Sequence, residues 1–301
     1  MRFISKKDII IPQRKRDAKK GDSGKVLIVG GSQDYVGALA LAGLAAFRAG
    51  CDWVTIAAPE KVAWAINGLT PDLVTIKLPG NHLSKNHASK IIELSKKHTA
   101  LLIGNGAGLS DFTIQCIKTI NREIKMNKVI DADGIKAMSL EELENSIITP
   151  HAKELEIILG NSFLSNKKIR SIHTQKSIEK KALLIKKTIE EAGITHDNGK
   201  SFFENNNVIV LKGPIDAIIT KNNILYDKQG DPGLAKAGTG DVLAGLCAGF
   251  LAQGLSLEQS AINATYFTGL AGEILHKKKK GFTYLASDLV DEMRNIRHFR
   301  A

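Results

Sequence analysis

The sequence predicts an α/β fold: a mostly parallel central sheet with helices on both faces, and a β-meander in the C-terminal half. Three observations predict it. Short apolar runs alternate with helical patterns about every 25–35 residues through the first half of the chain. Glycine loops and acidic turns recur at the ends of those runs, at 30–32, 104–108, 131–134 and 149–151. After a polar interval, three further runs return with only short turns between them. In open sheets of this kind ligands bind beyond the carboxyl ends of the strands, so the recurring loops outline one binding edge.

The elements follow in order. "KVLIVGG" (25–31) reads as the first strand and "ALALAGLAAFRAG" (38–50) as a small-residue helix stopped by Gly50. "WVTIAAP" (53–59) is a strand ended by proline, "LVTIKL" (73–78) alternates as a strand does, and "SKIIELSKKH" (89–98) is an amphipathic helix. "ALLIGNGAG" (100–108) is a strand running into a glycine loop, and "DFTIQCIKTINREI" (111–124) a helix with Asp111 at its N-cap. "KVIDADG" (128–134) and "SIITP" (146–150) are the next strands, followed by a helix over 151–159. Residues 161–206 are highly polar. They read as an exposed helix and a turn-rich loop inside one domain, because strands resume directly afterwards. "VIVLKG" (208–213), "DAIITK" (216–221) and "NILYD" (223–227) form the meander, with "KNN" in its second turn. The organisation expected is a basic N-terminal extension, 1–20, and a single domain, 21–301.

Composition narrows the function classes. A chain of 301 residues buries a core without disulfide or metal staples, and 43% hydrophobic with 24% charged residues is an ordinary globular balance. Aromatic residues are only 5%, which argues against stacking platforms for single-stranded nucleic acid. The net charge of +11 favours anionic ligands in general. Its local runs, "RKRDAKK" (14–20) and "KKKK" (277–280), read as solvated lysines rather than a nucleic-acid footprint. Cys51, Cys116 and Cys247 lack CxxC spacing and read as small core residues in a reducing compartment. The N-terminus lacks the apolar core of a signal peptide, and no run approaches the ~18 apolar residues of a membrane span. A cytoplasmic protein with no membrane partner and no specific nucleic-acid partner is expected.

Familiar nucleotide motifs are absent. "GKS" at 199–201 has Ile194 where a Walker loop needs its first glycine, and "GNGAG" (104–108) has the wrong spacing for a dinucleotide fingerprint. There is no HExxH, zinc-type cluster or GxSxG. What stands out instead is "AKAGTGDVLAGLCAGFLAQG" (235–254). Gly238, Thr239 and Gly240 can present consecutive N–H groups at the start of an apolar helix, an anion cradle, with Asp241 in the first turn. A carboxylate beside a bound phosphate can take a proton from an attacking hydroxyl; the plainer reading is a structural helix start. "TPHAKELEIILG" (149–160) places His151 and Glu154 three apart on one side of a helix start. His151 could bond a ligand and Glu154 a hydrated magnesium ion, against a merely solvated first turn. Lys212 closes a strand beside a Gly-Pro turn, where it is either a phosphate contact or an ordinary turn residue. The small-residue helix after "GGSQDYVG" (30–37) implies close approach by a neighbouring helix or a flat ligand.

Taken together, "GDSGKVLIVGGSQDYVGALALAGLAAFRAG", "IGNGAGL", "DADG", "TPHAKEL", "VIVLKGP" and "DPGLAKAGTGDVLAGLCAGFLAQG" resemble the NAD(P)H-hydrate dehydratases of the ribokinase-like superfamily. The resemblance spans nearly the whole chain from residue 21. GTGD is shared by the wider superfamily; the "GKVLIVGGS" opening and "TPH" with its glutamate are more specific. It implies a ribokinase-like three-layer α/β/α sandwich and ADP-dependent (with ATP as the other candidate) dehydration of hydrated NADH or NADPH. The added hydroxyl is phosphorylated and phosphate then leaves, giving AMP and phosphate from ADP. It implies Asp241 as the base and Gly238, Thr239 and Gly240 as the phosphoryl cradle. The hydrated dinucleotide would meet Ala38, Gly106 or Gly108, His151 and Asp241. The AMP portion would meet Lys212, Gly213, Pro214, Ile215, Asp216 and Gly240. Mg²⁺ is the implied cation, with Glu154 its water-mediated contact. The family further implies a homo-oligomer, a tetramer among the options, for which the 38–49 helix is a candidate interface. The stretch before the first strand is too short for the epimerase domain fused in many relatives. Two departures matter: Asp216 stands where many relatives have threonine, opposing an anionic ligand, and the glycine loop differs from the shorter Gly-Pro-Gly-Leu version. The alternatives are a small-molecule kinase acting on a vitamin-precursor alcohol, and a catalytically idle nucleotide-binding protein.

Overall fold

The computed structural model describes residues 1–279 and 281–296. Lys280 of the 277–280 run and residues 297–301 lie outside the described residues. The strands are β1 (Arg2–Phe3), β2 (Lys25–Val29), β3 (Trp53–Pro59), β4 (Val74–Leu78), β5 (Ala100–Ile103), β6 (Lys128–Ile130), β7 (Ser146–Ile148), β8 (Val208–Leu211), β9 (Asp216–Ile219) and β10 (Ile224–Asp227). The helices are α1 (Gly37–Ala49), α2 (Glu60–Leu69), α3 (Ala88–Ser95), α4 (Asp111–Glu123), α5 (Asp133–Ala137), α6 (Ala152–Asn161), α7 (Asn166–Thr174), α8 (Ile178–Glu191), α9 (Thr239–Ala252), α10 (Leu257–Lys279) and α11 (Ala286–Glu292).

All ten strands form one sheet in the order β1-β10-β9-β8-β7-β6-β5-β2-β3-β4. The run from β8 to β4 is parallel throughout, and β8-β9-β10 is the antiparallel meander. Strand β2 explains the layering. Val26 and Ile28 join one core with α1, α2, α9, α10 and α11, while Leu27 and Val29 join the other with α3 to α8. Both faces are covered, so β2 reads as continuously apolar rather than alternating.

Helices α1 and α9 sit side by side in the first layer. Gly245 and Gly249 permit it: a Cβ on either would lie 2.1 Å from the Ala42 carbonyl oxygen or 2.5 Å from that of Ala46. The close partner of the small-residue helix is therefore a helix of the same chain, and its buried residues Leu39, Ala42, Ala45 and Ala46 are core. The face of 38–49 that the sequence offers as a subunit interface is largely used internally.

The structure adds helices α2, α10 and α11 to the reading and refines it elsewhere. The basic N-terminal extension, 1–20, packs onto the domain: β1 pairs with β10, Ile4 is buried, and Arg14 bonds Asp52, whose carboxylate also accepts the Gly21 and Ser23 N–H groups. The N-cap of α4 is Ser110, whose hydroxyl accepts the Thr113 N–H; Asp111 is the first helical residue. The polar interval holds two helices, α7 and α8, rather than one. Among the described residues no helix is long and apolar enough to cross a membrane.

Candidate active site

The strand order sets where the site lies. The chain leaves β2 for β3 on one side and returns to place β5 on the other, so the loops after β2 and β5 diverge at this switch point. The Asn105 carbonyl accepts the Gly31 N–H at 2.9 Å across that crevice, tying the loops together at their base. The loops after β6, β7 and β8 lie along the same edge, and the N-terminus of α9 meets them there.

Gly238 is the N-cap of α9 with φ +92°, a left-handed conformation open to glycine. Thr239 does not face the ligand edge: its hydroxyl donates to the Leu234 and Lys236 carbonyls and pins the turn. Gly240 lies beside Lys212; a Cβ there would stand 3.3 Å from the Lys212 Nζ. The helix start and the lysine after β8 are thus neighbours, as expected of a shared anion site.

Lys212 is the hub of a charged cluster. Its Nζ donates to Asp131 Oδ1 at 3.2 Å and lies 3.6 Å from Glu154 Oε2. Burial would lower its pKa, but the charges of Asp131, Glu154 and Asp241 outweigh that and raise it. Lys212 is a fixed cation at working pH. Asp131 is held by the Thr149 hydroxyl at 2.6 Å as well. The next residue, Ala132, has φ +51° and ψ −118°, a strained backbone for a non-glycine residue.

Asp241 joins this cluster through a residue the sequence does not flag. Asn105 Nδ2 donates to Asp241 Oδ1 at 2.6 Å and to Asp131 Oδ2 at 2.9 Å. Burial pushes the Asp241 carboxyl up to about 6 and the nearby Asp131 charge acts the same way, while Asn105 and Lys212 hold it down. A carboxylate tuned towards neutrality suits a general base.

The remaining expected residues are placed as follows. His151 is exposed and caps α6: its Nδ1 accepts the Lys153 and Glu154 N–H groups, and its Nε2 lies 3.4 Å from Glu154 Oε1. Glu154 is buried, accepts the His151 N–H at 2.9 Å, and faces Lys212. Gly106 is buried under the 32–36 loop, where a Cβ would meet Tyr35 at 2.6 Å and Ala38 at 3.5 Å. Gly108 is half-buried, with only the Ser32 Cβ near its open face at 3.9 Å and its N–H given to Asp133. Of the two glycines, Gly108 has the free face. Gly213 and Pro214 are exposed, Ile215 is half-buried, and Asp216 turns back on this loop to accept the Gly213 N–H at 2.8 Å. Burial pushes Asp216 up to about 7, and Asp227, its register partner on β10, adds to the push. Asn105 and Asp131 escape sequence reading as site residues because an asparagine in a glycine loop and an aspartate in a turn are ordinary turn chemistry.

These strands, loops and helix start make an α/β/α sandwich whose fold is like that of a ribokinase-like superfamily protein of Enterococcus faecalis, with a TM-score of 0.78 at 23% identity over 99% of this chain and 95% of that one. The NAD(P)H-hydrate dehydratase family model (Carb_kinase) matches residues 26–295, and the chain belongs to that family. It is 35% identical over 303 residues to the bifunctional NAD(P)H-hydrate repair enzyme Nnr of Methanothermobacter thermautotrophicus, covering 98% of this chain but 54% of that protein. The chain spans about half the length of several such bifunctional relatives. It is 31% identical to the ADP-dependent (S)-NAD(P)H-hydrate dehydratase of Cenarchaeum symbiosum, covering 98% of this chain and 96% of that one. Among solved structures, the ADP/ATP-dependent NAD(P)H-hydrate dehydratase of Bacillus subtilis, co-crystallised with ATP and Mg²⁺, superposes with a TM-score of 0.73. It is 24% identical and covers 96% of this chain and 94% of that one.

Proposed function

We propose that the protein is an ADP-dependent (S)-NAD(P)H-hydrate dehydratase, a lyase that repairs hydrated NADH and NADPH. The single observation that carries the reading is the placement of Asp241 beside a fixed cation, Lys212, at the glycine start of α9. Base, counter-charge and anion cradle therefore share one point.

The reaction balances on these groups. Asp241 takes the proton of the substrate hydroxyl through its second oxygen, since Oδ1 is occupied by Asn105. The hydroxyl oxygen forms a bond to the terminal phosphorus of ADP, and the bond from that phosphorus to the AMP oxygen breaks. The N–H groups at the start of α9 and Lys212 stabilise the charge on the transferring phosphoryl group. Phosphate then leaves with the carbon–oxygen electron pair, a proton leaves the neighbouring carbon, and the ring double bond returns.

The nucleotide lies along the 212–216 turn and Gly240, with the Asp216 carboxylate engaged by its own loop and so kept off the phosphates. The hydrated dinucleotide lies over Ala38, Gly108, His151 and Asp241, with Gly106 shaping the floor. Among the described residues no group of three or more His, Cys, Asp or Glu side chains is arranged to hold a metal alone. A hydrated Mg²⁺ arriving with the nucleotide would take Glu154 as its water-mediated contact. Bound there, the ion would offset phosphate charge.

The test is direct. Purified protein with hydrated NADH, Mg²⁺ and ADP restores the reduced-nicotinamide absorbance and releases one AMP and one phosphate per NADH; ATP is run beside it. No recovery with either nucleotide ends this reading, and a stable phosphorylated alcohol from a thiazole or pyrimidine substrate would replace it with a small-molecule kinase.

A further inference from the structure

We propose that Asn105 is a positioning residue for Asp241: its amide group, bonded to two carboxylates at once, aims the base and keeps it ionised. The proposal rests on the role given to Asp241 above. Asn105 is fully buried, and its Nδ2 spans Asp241 Oδ1 and Asp131 Oδ2. The chemistry fixes the orientation of the amide, because the alternative would set its oxygen against two carboxylates. Both amide protons are committed, and the side-chain oxygen is buried with no hydrogen-bond partner. Burying an acceptor without a partner is unfavourable. A residue that carries this cost while bridging two acids is placed for the acids rather than for packing.

The bridge does two things. It occupies Oδ1 of Asp241, so the remaining oxygen is the one presented to a hydroxyl. It also places positive hydrogen ends between two like charges that would otherwise push a proton onto one of them. The charged groups facing Asp241 are Asp131 after β6, Glu154 on α6 and Lys212 after β8. Asp131 and Glu154 raise its pKa, so Asn105 and Lys212 together keep the base usable. Asn105 is itself steadied by its carbonyl, which accepts the Gly31 N–H. The structure gives the side chain no other partner.

The experiment compares the wild-type protein with Asn105→Ala and Asn105→Ser. The expected result is an acid limb of kcat/KM displaced to higher pH by on the order of one unit in both variants, with the Kd for ADP within about threefold. In parallel, the Asp241 carboxyl is titrated by carbon NMR, its signal assigned with Asp241→Asn, and its midpoint moves up in the same direction. An acid limb and a carboxyl midpoint that stay in place overturn the proposal. So does loss of folded circular dichroism in both variants, which would make Asn105 a structural residue. If the wild-type protein fails to act on hydrated NADH, the functional reading fails by itself, and the carboxyl titration still decides the role of Asn105.

Discussion

At the scale of single residues, the site holds a carboxylate in a state that costs stability. Burial and the Asp131 charge raise Asp241 to about 6 from an ordinary 3.8. Below about pH 4 it is protonated whether the chain is folded or not, and nothing is lost. Between about pH 4 and 6 the unfolded chain ionises this group while the folded protein keeps it protonated, so stability falls across that window and stays lower above it. Asp241→Asn is therefore expected to melt higher than the wild-type protein at pH 7–8, with the gap narrowing as pH falls towards 4. The same variant should lose about 10²–10⁴-fold in kcat while its Kd for ADP changes little; calorimetry and single-turnover assays read both. Retained turnover would remove Asp241 from the base role. Asp241 itself was legible, since "GTGD" states its helix start and its charge together. Asn105 was not, because its importance comes from bridging residues 26 and 136 positions away in sequence. His151 was legible as a helix-start residue, but that its Nδ1 caps the helix while its Nε2 approaches Glu154 depends on a side-chain rotation that spacing cannot express.

At the scale of elements, the position of the glycine start of α9, the proposed anion cradle, depends on how closely α9 packs on α1. The N-terminus of α9 carries Gly238 to Asp241, and its later turns hold Gly245 and Gly249 against the α1 backbone. Gly245→Ala places a methyl group against the Ala42 carbonyl and must push the helices apart. A loss of about 1–3 kcal/mol is expected from such overpacking, read as a lower denaturant midpoint, together with weaker ADP binding as the helix start shifts. An unchanged midpoint would contradict the packing account. The parallel strands and the meander were legible because both-sided burial leaves short apolar runs and turn residues between them. The C-terminal helices were harder: α10 alternates apolar and polar residues around its whole circumference and gives little periodic signal. The α2 start was hidden because its N-cap is Pro59, the last residue of β3, with no side-chain cap. Strand β1 was invisible because two residues make no pattern, and they become a strand only by pairing with β10.

At the scale of the whole molecule, the fold gathers loops from five strands at one edge and brings a helix N-terminus to them. The positive net charge makes the surroundings favourable to an anionic nucleotide, while the carboxylates around Lys212 confine positive charge to one point. The arrangement predicts phosphorylation followed by elimination, not direct loss of water, and the two differ in where one oxygen atom goes. The decisive measurement uses hydrated NADH carrying ¹⁸O in its added hydroxyl, with ADP and Mg²⁺, and follows the label by mass spectrometry of the released phosphate. The account predicts one labelled oxygen in each phosphate. Unlabelled phosphate, with the label recovered in water, would contradict it.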